Sequence, residues 1–288
     1  MFTIGADPEV FVKRNGEAFS AHGLIPGTKK DPHPVAGGAV QIDGTALEFN
    51  IDPTDYRDFE SFNRNVVGVM SQLTKMVKKQ DTKLTLNLSS VQDYTEAYLA
   101  DVPDTAKELG CDPDYCAYTM LENPRPDNTA PFRTAAGHLH IGWGANIPVE
   151  NTEHMAICAD FVKMCDATVG LFMTYLDREP RRRELYGKAG AFRPKSYGVE
   201  YRTPSNAWLR HKDYRMAVHG LLRMAIEKSK NGNSIEKITG YSENTIRDTI
   251  DKGSYVNAKH ILERMRISTW VGKDFTRLIS RIEASYVK

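Results

Sequence analysis

The sequence predicts an α+β fold: an antiparallel sheet with helices against one face, then a helical C-terminal part. Three observations predict it. Short segments of strand-like alternation recur up to about Thr203, and one carries an Asp43-Gly44 hairpin signal. A long stretch of helical periodicity interrupts them. From about His211 onward only helical patterns remain.

The elements follow in order. Phe2 to Val12 reads as a strand, with Gly5 and Pro8 allowing a bend or bulge. Val40 to Asn50 reads as a hairpin. Phe59, Phe62, Val66, Val69, Met70, Leu73 and Val77 recur at three- and four-residue steps, which predicts an amphipathic helix from Tyr56 to Lys79. Lys83 to Leu88 is a further strand. Residues 100–135 are rich in Pro, Asp and Asn and read as a long irregular excursion, the kind of loop that covers active sites. Ala136 to Trp143 is a strand. Thr152 to Leu176 is a helix capped by Thr152, with Asn151 nearby. Ala191 to Thr203 forms one or two strands. Helices then run from Asp213 to Lys230, Ser234 to Lys252, Val256 to Arg266 and Lys273 to Val287. The expected organisation is a core over 1–208, with 209–288 as a helical region packed on it.

The chain has 288 residues and 41% hydrophobic content, enough for one large core. No apolar run reaches the roughly 20 residues a membrane helix requires. The N-terminus lacks the pattern of a signal peptide. Lys+Arg 38 against Asp+Glu 37 gives no global pull toward nucleic acid, so any basic site must be local. Cys111, Cys116, Cys158 and Cys165 lack zinc-ribbon spacing and read as reduced, buried or half-buried thiols in a cytosol-like compartment.

Four constellations could carry chemistry. Asp7 and Glu9 lie two apart, so on a strand they share a face. Two carboxylates that close need a cation, or else they are a solvated polar face. Glu48 and Asn50 repeat the spacing on a second strand, where a solvent-facing Glu is the plain alternative; Asp43 reads as a turn residue. His138 and His140 share a face inside Gly137-His138-Leu139-His140-Ile141-Gly142, a frequent metal clip and also a common structural arrangement. The stretch from Arg181 to Thr203 sets cations around Gly187, Gly190 and Gly198, with Glu200 and Arg202 on one strand face. Guanidinium forks suit phosphate or carboxylate. Arg178, Arg181 and Arg182 fit a solvated charge run as well as a site. Arg183, Arg193 and Arg202 are each tied to a glycine or an acid and read as functional.

If these strands neighbour one another, Asp7, Glu9, Glu48, a histidine and Glu200 line one face. Such an oxygen-rich set calls for Mg²⁺ or Mn²⁺ rather than zinc. Arginines beside it point to a polyphosphate.

Gly5-Ala6-Asp7-Pro8-Glu9, the Asp43-Gly44 hairpin with Leu47-Glu48-Phe49-Asn50, Gly137 to Gly142, and Tyr186-Gly187 to Arg202-Thr203 together resemble the phage COOH-NH2 ligase family, type 2. The resemblance runs to about Trp208. It implies the curved antiparallel sheet of the glutamine-synthetase or glutamate–cysteine-ligase catalytic fold, and an ATP site with two or three Mg²⁺ or Mn²⁺ ions. It also implies ATP-dependent joining of a carboxylate to an amine through an acyl phosphate, on small-molecule or peptide substrates in the cytoplasm. Carried over by position, Asp7, Glu9, Glu48, His138 and Glu200 are metal residues. Arg183, Arg193, Arg202, Lys195 and His140 bind the nucleotide, and the three arginines also serve catalysis. Asp127 on the long loop is a candidate base.

Three rivals stand beside this reading. A guanidino-type phosphotransferase would use the same sheet without an amine. A metal-dependent hydrolase would use His138, His140 and Asp7 without ATP. Nucleic-acid binding would use a helix-turn-helix over Ser234–Arg247, which reads more readily as an ordinary helical hairpin.

Overall fold

The computed structural model describes residues 1–103, 113–124, 132–144, 146–272 and 274–287. The strands are β1 (Thr3–Arg14), β2 (Glu17–Phe19), β3 (His33–Val35), β4 (Gly38–Asp43), β5 (Ala46–Ile51), β6 (Thr54–Asp55), β7 (Leu84–Asn87), β8 (Val91–Asp93), β9 (Tyr115–Cys116), β10 (Phe132–Thr134), β11 (Gly137–Gly142), β12 (Ala191–Lys195) and β13 (Gly198–Tyr201). Helix α1 (Phe59–Gln80) separates the first six from the rest, and α2 (Glu96–Asp101) is short. Then come α3 (Thr152–Cys165), α4 (Leu171–Leu176), α5 (Arg182–Leu185), α6 (Lys212–Lys230), α7 (Ile235–Thr239), α8 (Glu243–Asp251), α9 (Tyr255–Arg264), α10 (Ser268–Val271) and α11 (Phe275–Ala284).

The main sheet runs β3-β4-β5-β1-β11-β13-β12-β9, and every pairing described is antiparallel. Strand β1 is its hub. It pairs with β11 over Thr3–Pro8, with β5 at Glu9 and Val10, and with β2 and β7 at its far end. The period of two sorts the side chains onto two faces. Ile4, Ala6, Val10, Val40, Leu47, Phe49, Leu139, Ile141, Phe192, Val199 and Tyr201 join one hydrophobic cluster. Helix α1 sends Phe62, Val66, Val69, Leu73 and Val77 into it across β4, β5 and β7, while α3 lies across β12 and β13. The other face keeps the polar residues.

The C-terminal helices add Ala217, Leu221, Ile226, Ile246, Ile261 and Leu278 to this same cluster, so no separate core marks a boundary at 208/209. Cys116, Cys158 and Cys165 are buried free thiols; Cys111 lies outside the described residues.

Three elements depart from expectation. Thr152–Leu176 is not one α-helix: residues Asp166–Gly170 form a π turn between α3 and α4. The buried Asp166 carboxylate accepts hydrogen bonds from Tyr201 Oη (2.6 Å), Gly190 N (2.6 Å) and Tyr118 Oη (3.1 Å). A wider turn is how an α-helix accommodates one residue held by its neighbours. The cap of α3 is Asn151, whose side chain accepts from His154 N, rather than Thr152. The helix expected over Ser234–Lys252 breaks at Gly240 (φ +79°), because a left-handed residue ends α7 and Ser242 caps α8 afresh. Within the excursion over 100–135, β9 and β10 form ordered pairs with β12 and β8. Residues 104–112 and 125–131, with Asp127 among them, lie outside the described residues.

Arg178 is not a solvated charge. Its guanidinium sits over the rings of Tyr255 (4.1 Å), Tyr286 (4.3 Å) and Tyr175 (5.2 Å), and it pairs with Glu283 at 3.1 Å. It thereby fastens α9 and the C-terminal end to α4. Arg178→Ala is expected to lower stability by about 2 kcal/mol, through lost cation–π contact and stem packing. Urea unfolding of the full chain checks this, and an unchanged midpoint would contradict it.

Candidate metal and anion site

The register of the sheet builds the site. Gln41 pairs with Glu48, and Glu48 with Glu9. Asp7 pairs with His138, and His140 with Glu200, which pairs in turn with Arg193. A row of polar side chains thus crosses six adjacent strands, from β4 to β12. It floors a cleft of about 520 Å³, the size of a small-molecule site, which also takes Lys29, Asp43, Arg133, Tyr186, Lys195 and Arg202.

At the β4–β1 end, Glu9, Asp43 and Glu48 place carboxylate oxygens within 4.8 Å of one another. Glu9 is pinned: its Oε2 accepts from Ala136 N at 2.8 Å, and Asn206 Nδ2 donates to its carbonyl at 2.9 Å. Burial, and then the charge of Asp43, push the Glu9 carboxyl up to about 7. Burial, with Asp7, Asp43 and Glu9, drives Glu48 well above the usual carboxylate range. Acids this close resist ionisation together unless a cation joins them.

Asp7, His140 and Glu200 form a second group. Asp7 Oδ1 and His140 Nε2 are buried and 2.9 Å apart, yet neither makes a well-directed hydrogen bond. An oxygen and an imidazole nitrogen so placed suit a divalent cation. Tyr197 Oη lies 2.5 Å from His140 Nδ1, which orients the ring with Nε2 toward Asp7. Burial opposes protonation of His140, but Asp7 and Glu200 outweigh it and hold its pKa up. His138 instead sits beside Arg202, and burial with that cation holds it neutral, well below the usual imidazole value.

The β12–β13 end is basic. Glu200, 1% exposed, meets Lys195 Nζ at 2.9 Å, Arg193 Nη1 at 3.2 Å and Arg202 Nη1. Burial penalises its charge, yet Arg202, His140, His138 and Lys195 hold the carboxyl well below its usual range. Three cations around one carboxylate leave positive charge for an anion. Residues 113–124 rest on this end: Arg193 Nε donates to Pro113 O (3.2 Å), and Arg202 Nε to Asp114 Oδ2 (2.9 Å).

Asp7, Glu9, Glu48, His138, His140, Arg193, Lys195, Glu200 and Arg202 therefore converge on one cleft or its floor. Arg183 does not. The short helix α5 turns it away, and it donates to the carbonyls of Asp177 (3.1 Å) and Glu179 (3.2 Å). Arg182 is likewise buried on the Thr203 and Pro204 carbonyls, and Arg181 pairs with Asp93 and Glu179. His140 groups with Asp7 and Glu200, and His138 Nδ1 also lies 3.6 Å from Asp7 Oδ1 and 3.5 Å from Glu200 Oε1. Asp43 ends β4 before the Gly44 turn (φ +59°) and also faces the cleft, beyond the turn role read for it. The Gln41–Asp43 alternation could have signalled this; Lys29 carried no signal. Gly137 lets the backbone after β13 approach: a Cβ there would meet Trp208 Nε1, whose N–H donates to Gly137 O at 3.1 Å.

The architecture is thus an antiparallel α+β sheet bearing a cleft that is acidic at one end and basic at the other. Residues 131–263 match the family described as Phage phiEco32-like COOH.NH2 ligase-type 2, the family whose motifs the sequence resembles. The match takes in β11, β12 and β13 with His138, His140, Arg193, Lys195, Glu200 and Arg202, and continues into α9. A search of curated proteins finds no match. Among solved structures, one titled "Crystal structure of novel glutamine synthase homolog" is similar at 14% identity and TM-score 0.37, over 92% of this chain and 68% of that one.

The raised Glu9 and Glu48 carboxyls carry a sign. A folded state that holds protons above the ordinary glutamate value of 4.5 binds more of them than the unfolded chain, so metal-free stability falls as pH rises from there through about 7. Metal binding must expel those protons. Mn²⁺ affinity is therefore expected to be several-fold higher at pH 8 than at pH 6, with the metal offsetting the stability loss at pH 8. Calorimetric titration and melting at both pH values check this; equal affinities would contradict it.

Proposed function

We propose that this protein is an ATP- and Mg²⁺- or Mn²⁺-dependent carboxylate–amine ligase. It would form an amide or isopeptide bond between small-molecule or peptide substrates by way of an acyl phosphate. The observation that carries the reading is the bipolar cleft. Three carboxylates (Glu9, Asp43 and Glu48) crowd one end, three cations surround Glu200 at the other, and Asp7 groups with His140 and Glu200. A polyphosphate bridged by divalent cations complements both ends at once. The matched family, described as a COOH.NH2 ligase, supports the same reaction class.

Asp7, His140 and Glu200 would hold one cation and Glu9, Asp43 and Glu48 another. Bound there, the ions would screen the charge on the phosphates. Arg193, Lys195 and Arg202 would take the negative charge that develops as the γ-phosphoryl moves to the substrate carboxylate. The incoming amine loses a proton as it attacks the acyl carbon, and inorganic phosphate leaves with its bonding pair. Residues 113–124, docked on Arg193 and Arg202, stand where a cover would keep water from the acyl phosphate.

The helix-turn-helix alternative gains nothing from α8. Its capped face presents Glu243, Asn244, Thr245 and Asp248, and Lys252 is paired with Asp248. No helix among the described residues is long and apolar enough to cross a membrane.

The test is turnover of ATP and Mg²⁺ with pooled carboxylates and amines, read as ADP release and product mass. ADP release that needs both an acid and an amine is expected, and Glu200→Gln is expected to abolish it. A phosphorylated acceptor formed without an amine would favour the phosphotransferase, and ATP-independent cleavage the hydrolase. No ADP release with any pair would contradict the proposal.

A further inference from the structure

Lys29 lies in a polar loop, yet its Nζ is 2.9 Å from Asp43 Oδ1 and its charge also acts on Glu48 and Glu9. It reaches Asp43 from the solvent side, because 47% of its side chain remains exposed while the three acids lie deeper. Its backbone is fixed. Thr28 and Asp31 exchange backbone hydrogen bonds (3.0 and 3.1 Å), and Thr28 Oγ1 accepts from Asp31 N as well, so Lys29 and Lys30 ride the tip of a closed turn. The base of that turn is fastened to the sheet: Ile42 N donates to Gly27 O, and Gly27 (φ +99°) lies so close to the sheet that a Cβ would come within 2.7 Å of His33 N. A flexible four-carbon stem on a rigid mount lets the ammonium enter and leave without moving the fold.

We propose that Lys29 is a displaceable internal cation, seated on the Glu9–Asp43–Glu48 carboxylates in the metal-free protein and expelled when a divalent ion takes them. This rests on the metal reading of the cleft given above. A single ammonium brings one charge, and its three donors cannot bind all the carboxylate oxygens at coordination distance, so a divalent ion outcompetes it. Its occupancy lowers the affinity, on top of the cost of expelling the carboxyl protons, because an ion must wait for the fraction of molecules in which the acids are open. Once expelled, the ammonium stands at the mouth of the cleft, opposite Arg193, Lys195 and Arg202, where an anionic substrate enters.

The experiment is a Mn²⁺ titration of the full chain without nucleotide, with free Mn²⁺ followed by electron paramagnetic resonance. If the lysine seals the acids about nine-tenths of the time, Lys29→Met tightens one class of Mn²⁺ site about tenfold, while Lys29→Arg and Lys30→Met stay within about twofold of the parent. Saturable binding that Lys29→Met leaves within about twofold, or weakens, overturns the role of Lys29 alone. Equal tightening by Lys30→Met also overturns it, since that marks a general charge effect. No saturable Mn²⁺ binding by any of the four proteins overturns the metal reading and this inference with it. Lys29 and Lys30 are exposed at a turn tip, so melting curves that overlay the parent's are expected for all three variants.

Discussion

The structure depends on an electrostatic imbalance held inside one row of strand residues. At one end three carboxylates share partly buried positions; at the other, one buried carboxylate is surrounded by three cations. Neither end can relax, since each strand side chain of the row is set by antiparallel register on a strand whose opposite face is hydrophobic core. Turning Glu9 or Glu48 out of the cleft would bring Val10 or Leu47 out of the core with it. The stability of the helix-backed face therefore holds the strained charges of the other face in place.

The supports behind the row are specific. Asn206 and Ala136 bracket Glu9, so the first acid is fixed at both its backbone and its carboxylate. Asp166, buried in its π turn, holds Tyr201 and Gly190 and thereby sets the two strands that carry Glu200 and Arg193. Tyr197 sets the ring of His140. These groups brace the strands that carry the site, and the Asp166 cluster explains why the helix widens into a π turn after α3.

Much of this is legible in the sequence, because a strand writes its period of two directly into residue spacing. The clips Asp7/Glu9, His138/His140 and Glu200/Arg202 declare a shared face by spacing alone. Register leaves no such trace. Nothing in the sequence says that Gln41 stands beside Glu48, or that His140 pairs in register with Glu200. Asp43 is masked by its own turn: Asp-Gly pairs are common without function, and that reading hides the signal of the Gln41–Asp43 alternation. Lys29 lies in a polar loop with no periodicity at all. Arg183 fails in the opposite sense. Its neighbours in the chain are functional candidates, but one short helical turn directs it to the carbonyls of Asp177 and Glu179. The hidden break at Asp166 comes from a tertiary hydrogen-bond cluster, which local propensity cannot encode.

The central claim is that the two acidic groupings are paired cation sites in one cleft. Anomalous diffraction at the manganese edge, on crystals grown with Mn²⁺ and a non-hydrolysable ATP analogue, tests it most directly. The account predicts two peaks, one within about 2.4 Å of Asp7, His140 and Glu200 oxygens or nitrogens and one within about 2.4 Å of Glu9, Asp43 and Glu48 oxygens. Manganese found only on outer surfaces, with the cleft acids still clustered around Lys29, would contradict it.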